Sequence, residues 1–162
     1  MFRLKRKYEF HAARKLTALV ESHPCGELHG HTFAVTIKVS GNQLTNEGWI
    51  MDFYNIDVLY KDKIHKYLDH KYLNDVEGLS NPTTEHIAMW IWNKLENDLK
   101  GLASVSVSEG TSYGCEYFGE KVEWATFGDS HLFELTYALA EHLRPRNIGV
   151  QQNTYSGCSP SI

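Results

Sequence analysis

Cysteine is scarce and scattered, with three in 162 residues, at Cys25, Cys115 and Cys158. An odd and dispersed set argues against a disulfide framework and for reduced thiols. Proline is scarce too, at four residues, so no Pro-rich linker divides the chain. No run approaches the ~18 continuous apolar residues of a membrane span. The densest patch, Ile87 to Trp92, is far too short, and a membrane is not a predicted partner. The basic opening (Arg3, Lys5, Arg6, Lys7) is followed by no apolar h-region. A secretory signal is therefore not expected, and the expected compartment is the cytoplasm. An excess of one charge is also lacking: the net charge is −4, which supplies no field for nucleic acid. There is no internal repeat and no low-complexity block. With 42% hydrophobic and 22% charged residues, the chain is not a disordered one. Its length fits one domain on a rough prior of about 150 residues. What is plentiful is histidine, with nine. It alone changes charge near neutral pH without perturbation, so the count points to metal or acid–base chemistry.

Residues 3–14 alternate, with Leu4, Tyr8, Phe10 and Ala12 on one face and Arg3, Lys5, Lys7 and Glu9 on the other. That is the pattern of a half-buried strand. Residues 31–39 alternate more cleanly, with Phe33, Val35, Ile37 and Val39 together. A loop bearing Pro, Gly and Cys, from Glu21 to Gly26, lies between them. Residues 53–68 switch to helical period. Their apolar stripe is Phe53, Ile56, Leu59, Tyr60, Ile64, Tyr67 and Leu68, with Asp52 as cap. A second helix is predicted from about Thr83 to Leu99, opened by Pro82 and two threonines and ended by Gly101. Ala103, Val105 and Val107 alternate with serines as a third strand, and a fourth follows around Cys115 to Phe118. The order β-β-α-α-β-β is an α+β class with connections suited to antiparallel pairing. Residues 1–120 form the predicted domain. Residues 121–145 form an extension in which Asp129 or Ser130 caps a helix with a Leu132, Leu135, Leu139 and Leu143 stripe, stopped at Arg144-Pro145. Residues 146–162 read as a loose tail.

The densest chemistry is Cys25-Gly-Glu-Leu-His29-Gly-His31. Side chains two apart on a strand share a face, so His29 and His31 join Phe33 and Val35 on the inner side. Two adjacent imidazoles make half of a zinc site, since buried polar groups need a partner. The bland alternative is a pair of satisfied polar residues at a strand end. Cys25 is a third ligand, a nucleophile or base whose thiolate a nearby cation would favour, or an inert buried thiol. Asp69 can orient His70 as an acid–base pair, or can simply cap the helix. Glu109 continues the inward face of Val105 and Val107. A buried carboxylate wants a donor, either a ligand edge such as an amino-pyrimidine or an internal Arg or Lys. His65, His86, His131 and His142 read as surface or packing residues. His23 shares the loop with Cys25.

Five segments together carry a likeness. They are Cys25-x-x-x-His29-Gly-His31, Gly48-Trp49-Ile50-Met51-Asp52-Phe53, Leu68-Asp69-His70-Lys71-Tyr72-Leu73-Asn74, Asn81-Pro82-Thr83-Thr84-Glu85, and Glu109. In order and at these separations they resemble the 6-pyruvoyl-tetrahydropterin synthase family, and within it the bacterial 6-carboxy-tetrahydropterin synthase branch. The resemblance covers about Phe10 to Glu120. It implies a tunnelling fold, a homo-oligomer that is typically a hexamer, and sites at subunit contacts. It implies 7,8-dihydroneopterin triphosphate as substrate, held by Glu109 with Thr83 and Thr84 nearby. It implies Zn²⁺ on His29 and His31 as a Lewis acid toward the side-chain oxygens. Cys25 would move protons, with Asp69 and His70 as the acid–base partner. The implied products are 6-carboxy-tetrahydropterin, acetaldehyde and triphosphate, in queuosine biosynthesis.

One position departs. The family's third zinc-ligating histidine falls at Arg14, on the inner face with Phe10 and Ala12. A guanidinium is a permanent cation with no lone pair to offer. His11 could replace the ligand only through a bulge that re-aims it. Cys25 or Glu27 could do so from the loop. Otherwise Arg14 is left to bind an anion, such as a phosphate or carboxylate. Three functions follow: the lyase itself, a diverged paralogue with an altered or absent zinc site acting on a related pterin, and a non-catalytic pterin-binding module.

Overall fold

The computed structural model describes residues 1–20 and 22–120. The predicted extension and tail, with the Leu132–Leu143 stripe, lie outside the described residues.

Strand β1 (Phe2–Arg14) pairs antiparallel with β2 (His29–Gly41) along their whole lengths. The register runs without a bulge from Phe2 opposite Gly41 to Arg14 opposite His29. Strand β4 (Leu102–Glu109) pairs antiparallel with β2, and β5 (Tyr113–Tyr117) with β4. A two-residue strand, β3 (Lys71–Tyr72), pairs parallel with β1, giving the order β3-β1-β2-β4-β5. Sequence reading missed β3 because two residues are too few to show a period.

The alternation comes out as read. Phe10, Ala12, Phe33, Val35, Ile37, Val39, Val105 and Val107 are buried on one face of the sheet. The helices cover that face, as an α+β layer requires. Helix α1 (Phe53–Tyr60) begins at Asp52, whose carboxylate accepts the Tyr54 N–H at 2.9 Å. It runs through a π-turn (Lys61–His65) into α2 (Lys66–Leu68). The buried stripe is narrower than the sequence suggests. Ile56, Tyr60, Ile64 and Leu68 are buried, while Phe53 and Tyr67 are 46% and 47% exposed. The buried positions recur every fourth residue. A regular helix of 3.6 residues per turn would rotate them off the core, and the wider π-turn slows that drift.

Helix α3 (Thr84–Leu95) is capped by Thr83, whose hydroxyl accepts the His86 N–H, and it buries Ile87, Ala88, Trp90, Ile91 and Leu95. Gly101 then turns the chain into β4 at φ +80°. There a Cβ would fall 2.6 Å from the Ser40 carbonyl oxygen, so only glycine fits.

Candidate functional site

The sheet register sets the site. Arg14 is the last residue of β1 and lies directly across from His29, the first of β2. Two residues along β2, His31 faces the same way, and the His29 and His31 rings meet edge-on at 4.8 Å. Phe33 lies opposite Glu109 at the end of β4, which brings that carboxylate to the same corner of the inner face.

Arg14 is 2% exposed and Glu109 6%. The Arg14 Nη1 donates to Glu109 Oε1 at 2.6 Å and to the Pro82 carbonyl at 3.0 Å. Its Nε–H points at His29 Nε2, 3.5 Å away, and its guanidinium lies 5.4 Å from the centre of the Phe33 ring. His29 Nδ1 lies 2.8 Å from the Glu27 carbonyl, which can only accept. That bond places the proton on Nδ1 and leaves the Nε2 lone pair toward Arg14. Among the described residues, His31 Nε2 is buried without a hydrogen-bond partner, 3.6 Å from Glu109 Oε2, which is likewise unpartnered. Burial, then the neighbouring Arg14 and His29, push His31 down to about 4, so it is neutral at physiological pH. Burial raises the Glu109 carboxyl, and the Arg14 charge opposes it.

Beside this pair opens a cleft of about 440 Å³. Its walls include Arg14, His23, Thr83, Thr84, Glu85 and Glu109. The predicted residues Arg14, Thr83, Thr84 and Glu109 are thus gathered in one place, from the end of β1, the start of α3 and the end of β4. Glu85 was missed as a site residue. Its signal was a carboxylate in the first turn of a helix, directly after the two threonines. Its carboxyl is held below the usual range, first by a backbone N–H and against the effect of burial.

Asp69 and His70 do not line this cleft. They sit at the β1–β3 edge. The Asp69 Oδ1 accepts the His11 backbone N–H at 3.0 Å, and the His70 N–H donates to the His11 carbonyl at 2.6 Å. The His70 Nδ1 donates to Asp69 Oδ2 at 2.7 Å, and the ring is 76% exposed. The His11 amide, then His70, hold the Asp69 carboxyl below its ordinary value. His70 adopts φ 54°, a left-handed conformation uncommon for a non-glycine residue. The pair is therefore an oriented imidazole with Nε2 open to solvent.

Cys25 is buried in the short turn Pro24–Gly26, where its N–H donates to His23 Nδ1 at 3.1 Å. Its sulfur is disulfide-bonded in this structure, which corrects the expectation of reduced thiols. Among the described residues Cys115 is free. Proton transfer by Cys25 requires the reduced side chain.

The residues present do not fit the expected zinc ion. Among the described residues no group of three or more His, Cys, Asp or Glu is placed to hold a metal. The candidate replacements for the third ligand also fail. His11 faces outward because β1 has no bulge, and its Nδ1 contacts Thr32 Oγ1 at 2.9 Å. Glu27 is exposed, and its carbonyl orients His29. The anion met by Arg14 is Glu109, so the carboxylate found its donor within the chain.

No helix among the described residues is long and apolar enough to cross a membrane. Comparison with known proteins accords with this layout. The family model described as 6-pyruvoyl tetrahydropterin synthase matches residues 3–120. A second model, described as an SGNH domain (fused to AT3 domains), matches residues 102–162. Within the overlap, β4 and β5 belong to the sheet described above. A 6-carboxy-5,6,7,8-tetrahydropterin synthase of Synechocystis is 35% identical over 75% of this chain and 97% of its own length. A dihydroneopterin monophosphate aldolase of Pyrococcus furiosus is 39% identical over 60% of this chain and 80% of its own. In fold, the chain resembles a 6-pyruvoyl tetrahydropterin synthase of Caenorhabditis elegans. Their TM-score is 0.67 at 22% identity, over 73% of this chain and 95% of that one.

Proposed function

The chain belongs to the 6-pyruvoyl tetrahydropterin synthase family, and on that premise we propose that it is a lyase of the 6-carboxy-tetrahydropterin synthase type. It converts 7,8-dihydroneopterin triphosphate and water to 6-carboxy-tetrahydropterin, acetaldehyde and triphosphate, a step of 7-deazapurine (queuosine) biosynthesis in the cytoplasm. The observation that carries this reading is the cleft. It places the Glu85 and Glu109 carboxylates beside the Thr83 and Thr84 hydroxyls, next to the Arg14 guanidinium. A pterin presents an amino group and a ring N–H on one edge, two donors that match a carboxylate. Thr83 and Thr84 supply hydroxyls that both donate and accept at the ring's other polar atoms.

The acid–base groups act from His70 and Cys25. Asp69 holds the proton on His70 Nδ1, so the exposed Nε2 takes a proton from the substrate side chain and returns it. Because this pair lies outside its own chain's cleft, it serves the cleft of a second copy, which makes the working enzyme a homo-oligomer, a hexamer on the family likeness. Cys25, once reduced, is the second proton carrier.

The test is incubation of the full chain with 7,8-dihydroneopterin triphosphate under reducing conditions, read by product mass. The expected products are 6-carboxy-tetrahydropterin and acetaldehyde. A cleaved pterin of any other mass would refute the 6-carboxy-tetrahydropterin assignment and leave a lyase of another specificity. No change in substrate would refute a lyase.

A further inference from the structure

We infer that Arg14 takes the place of a divalent cation in this pocket, so that the two imidazoles and the carboxylate are organised around a guanidinium and the site excludes zinc. The inference goes beyond the proposed reaction and holds whatever the substrate is, because it rests on the pocket alone. The surrounding groups have the arrangement that a metal would want. The Glu27 carbonyl accepts from His29 Nδ1 at 2.8 Å, which turns Nε2 inward, as outer-shell acceptors orient ligating histidines. His31 brings a second buried imidazole nitrogen, and Glu109 a buried carboxylate.

What they surround is already a cation. The guanidinium takes Glu109 Oε1 at 2.6 Å, fills the space before His29 Nε2 at 3.5 Å, and is anchored by Pro82 at 3.0 Å. At 2% exposure it has no solvent to retreat into along this strand. A dication entering here would meet a fixed like charge and lose the carboxylate as a ligand. It would be left with two imidazoles, short of the three protein ligands that catalytic zinc sites use.

The experiment uses the full chain and Zn²⁺ alone as the probe. Zinc per chain is measured by elemental analysis after equilibration with Zn²⁺ and dialysis. His29→Ala/His31→Ala controls for zinc held elsewhere. The expected result is that wild type and this control retain the same amount. Arg14→His is expected to retain about one additional zinc per chain, because it restores a third imidazole. Should Arg14→His fold poorly, Arg14→Met frees Glu109 to complete a two-histidine, one-carboxylate set. It is expected to bind Co²⁺ with the visible absorption of a tetrahedral site. Wild type retaining one zinc that the His29/His31 variant loses would overturn the inference. So would folded Arg14 variants, shown by circular dichroism, that gain no metal. Loss of lyase activity alone would bear on the proposed reaction and leave this result unchanged.

Discussion

Replacing Arg14 by Met should cost this protein about 3–5 kcal/mol of stability, the usual consequence of removing one partner of a buried ion pair. The magnitude follows from the surroundings. Arg14 and Glu109 are 2% and 6% exposed and 2.6 Å apart. Two unit charges about 4 Å apart at an effective dielectric near 20 attract by about 4 kcal/mol. Without Arg14 the carboxylate remains buried and the Pro82 carbonyl loses its donor, with a desolvation cost of about 1–3 kcal/mol. Methionine preserves most of the side-chain volume, so the loss is electrostatic. Glu109→Leu should cost a similar amount by stranding the guanidinium. The double variant carries neither charge and should fall within about 2 kcal/mol of wild type. Urea unfolding at pH 7, followed by tryptophan fluorescence with the buried Trp90 as reporter, gives all three values at constant m. Single variants that each lose less than about 1 kcal/mol, or a double variant whose loss equals their sum, would refute a buried, mutually dependent pair.

His31 titrates at about 4 when folded, against 6.5 ordinarily. The native protein refuses a proton that the unfolded chain accepts, so this contribution is complete above the ordinary value and is lost as pH falls from there toward 4. It amounts to about 3 kcal/mol, and urea midpoints between pH 7 and 4 should fall less steeply in His31→Gln. His70→Ala should lower kcat by roughly 10²–10⁴-fold with little change in urea midpoint, because the ring is 76% exposed; unchanged turnover would remove His70 from the reaction. Thr83→Ala should destabilise by about 1 kcal/mol through loss of the α3 cap, and a shift in melting temperature below 1 °C would contradict that role.

The strand pairing and its inner face were legible because period-two alternation continues without interruption into the His29-Gly30-His31 end of β2. The same alternation sets Arg14 on the inner face of β1, His29 and His31 on that of β2, and Glu109 on that of β4. The partner of Glu109 was left open between a ligand and an internal cation, since nothing local in sequence brings the end of β1 beside the end of β4. Only β2, paired with both, does so. Position 14 reads in the sequence as lacking the third imidazole and as free to bind an anion, and in the structure its guanidinium meets the Glu109 carboxylate at 2.6 Å. The edge location of Asp69 and His70 was hidden because it depends on β3, two residues long, and on backbone bonds to His11. The narrowed helix stripe depended on a π-turn, which leaves no mark in hydrophobic periodicity.

A pterin-cleaving site built around Arg14 in place of zinc turns over without metal. The most direct test is turnover of 7,8-dihydroneopterin triphosphate by the reduced full chain in the presence of a strong zinc chelator. The expected result is formation of 6-carboxy-tetrahydropterin and acetaldehyde at the same rate with and without chelator. Turnover that stops with chelator and returns on adding Zn²⁺ would contradict it.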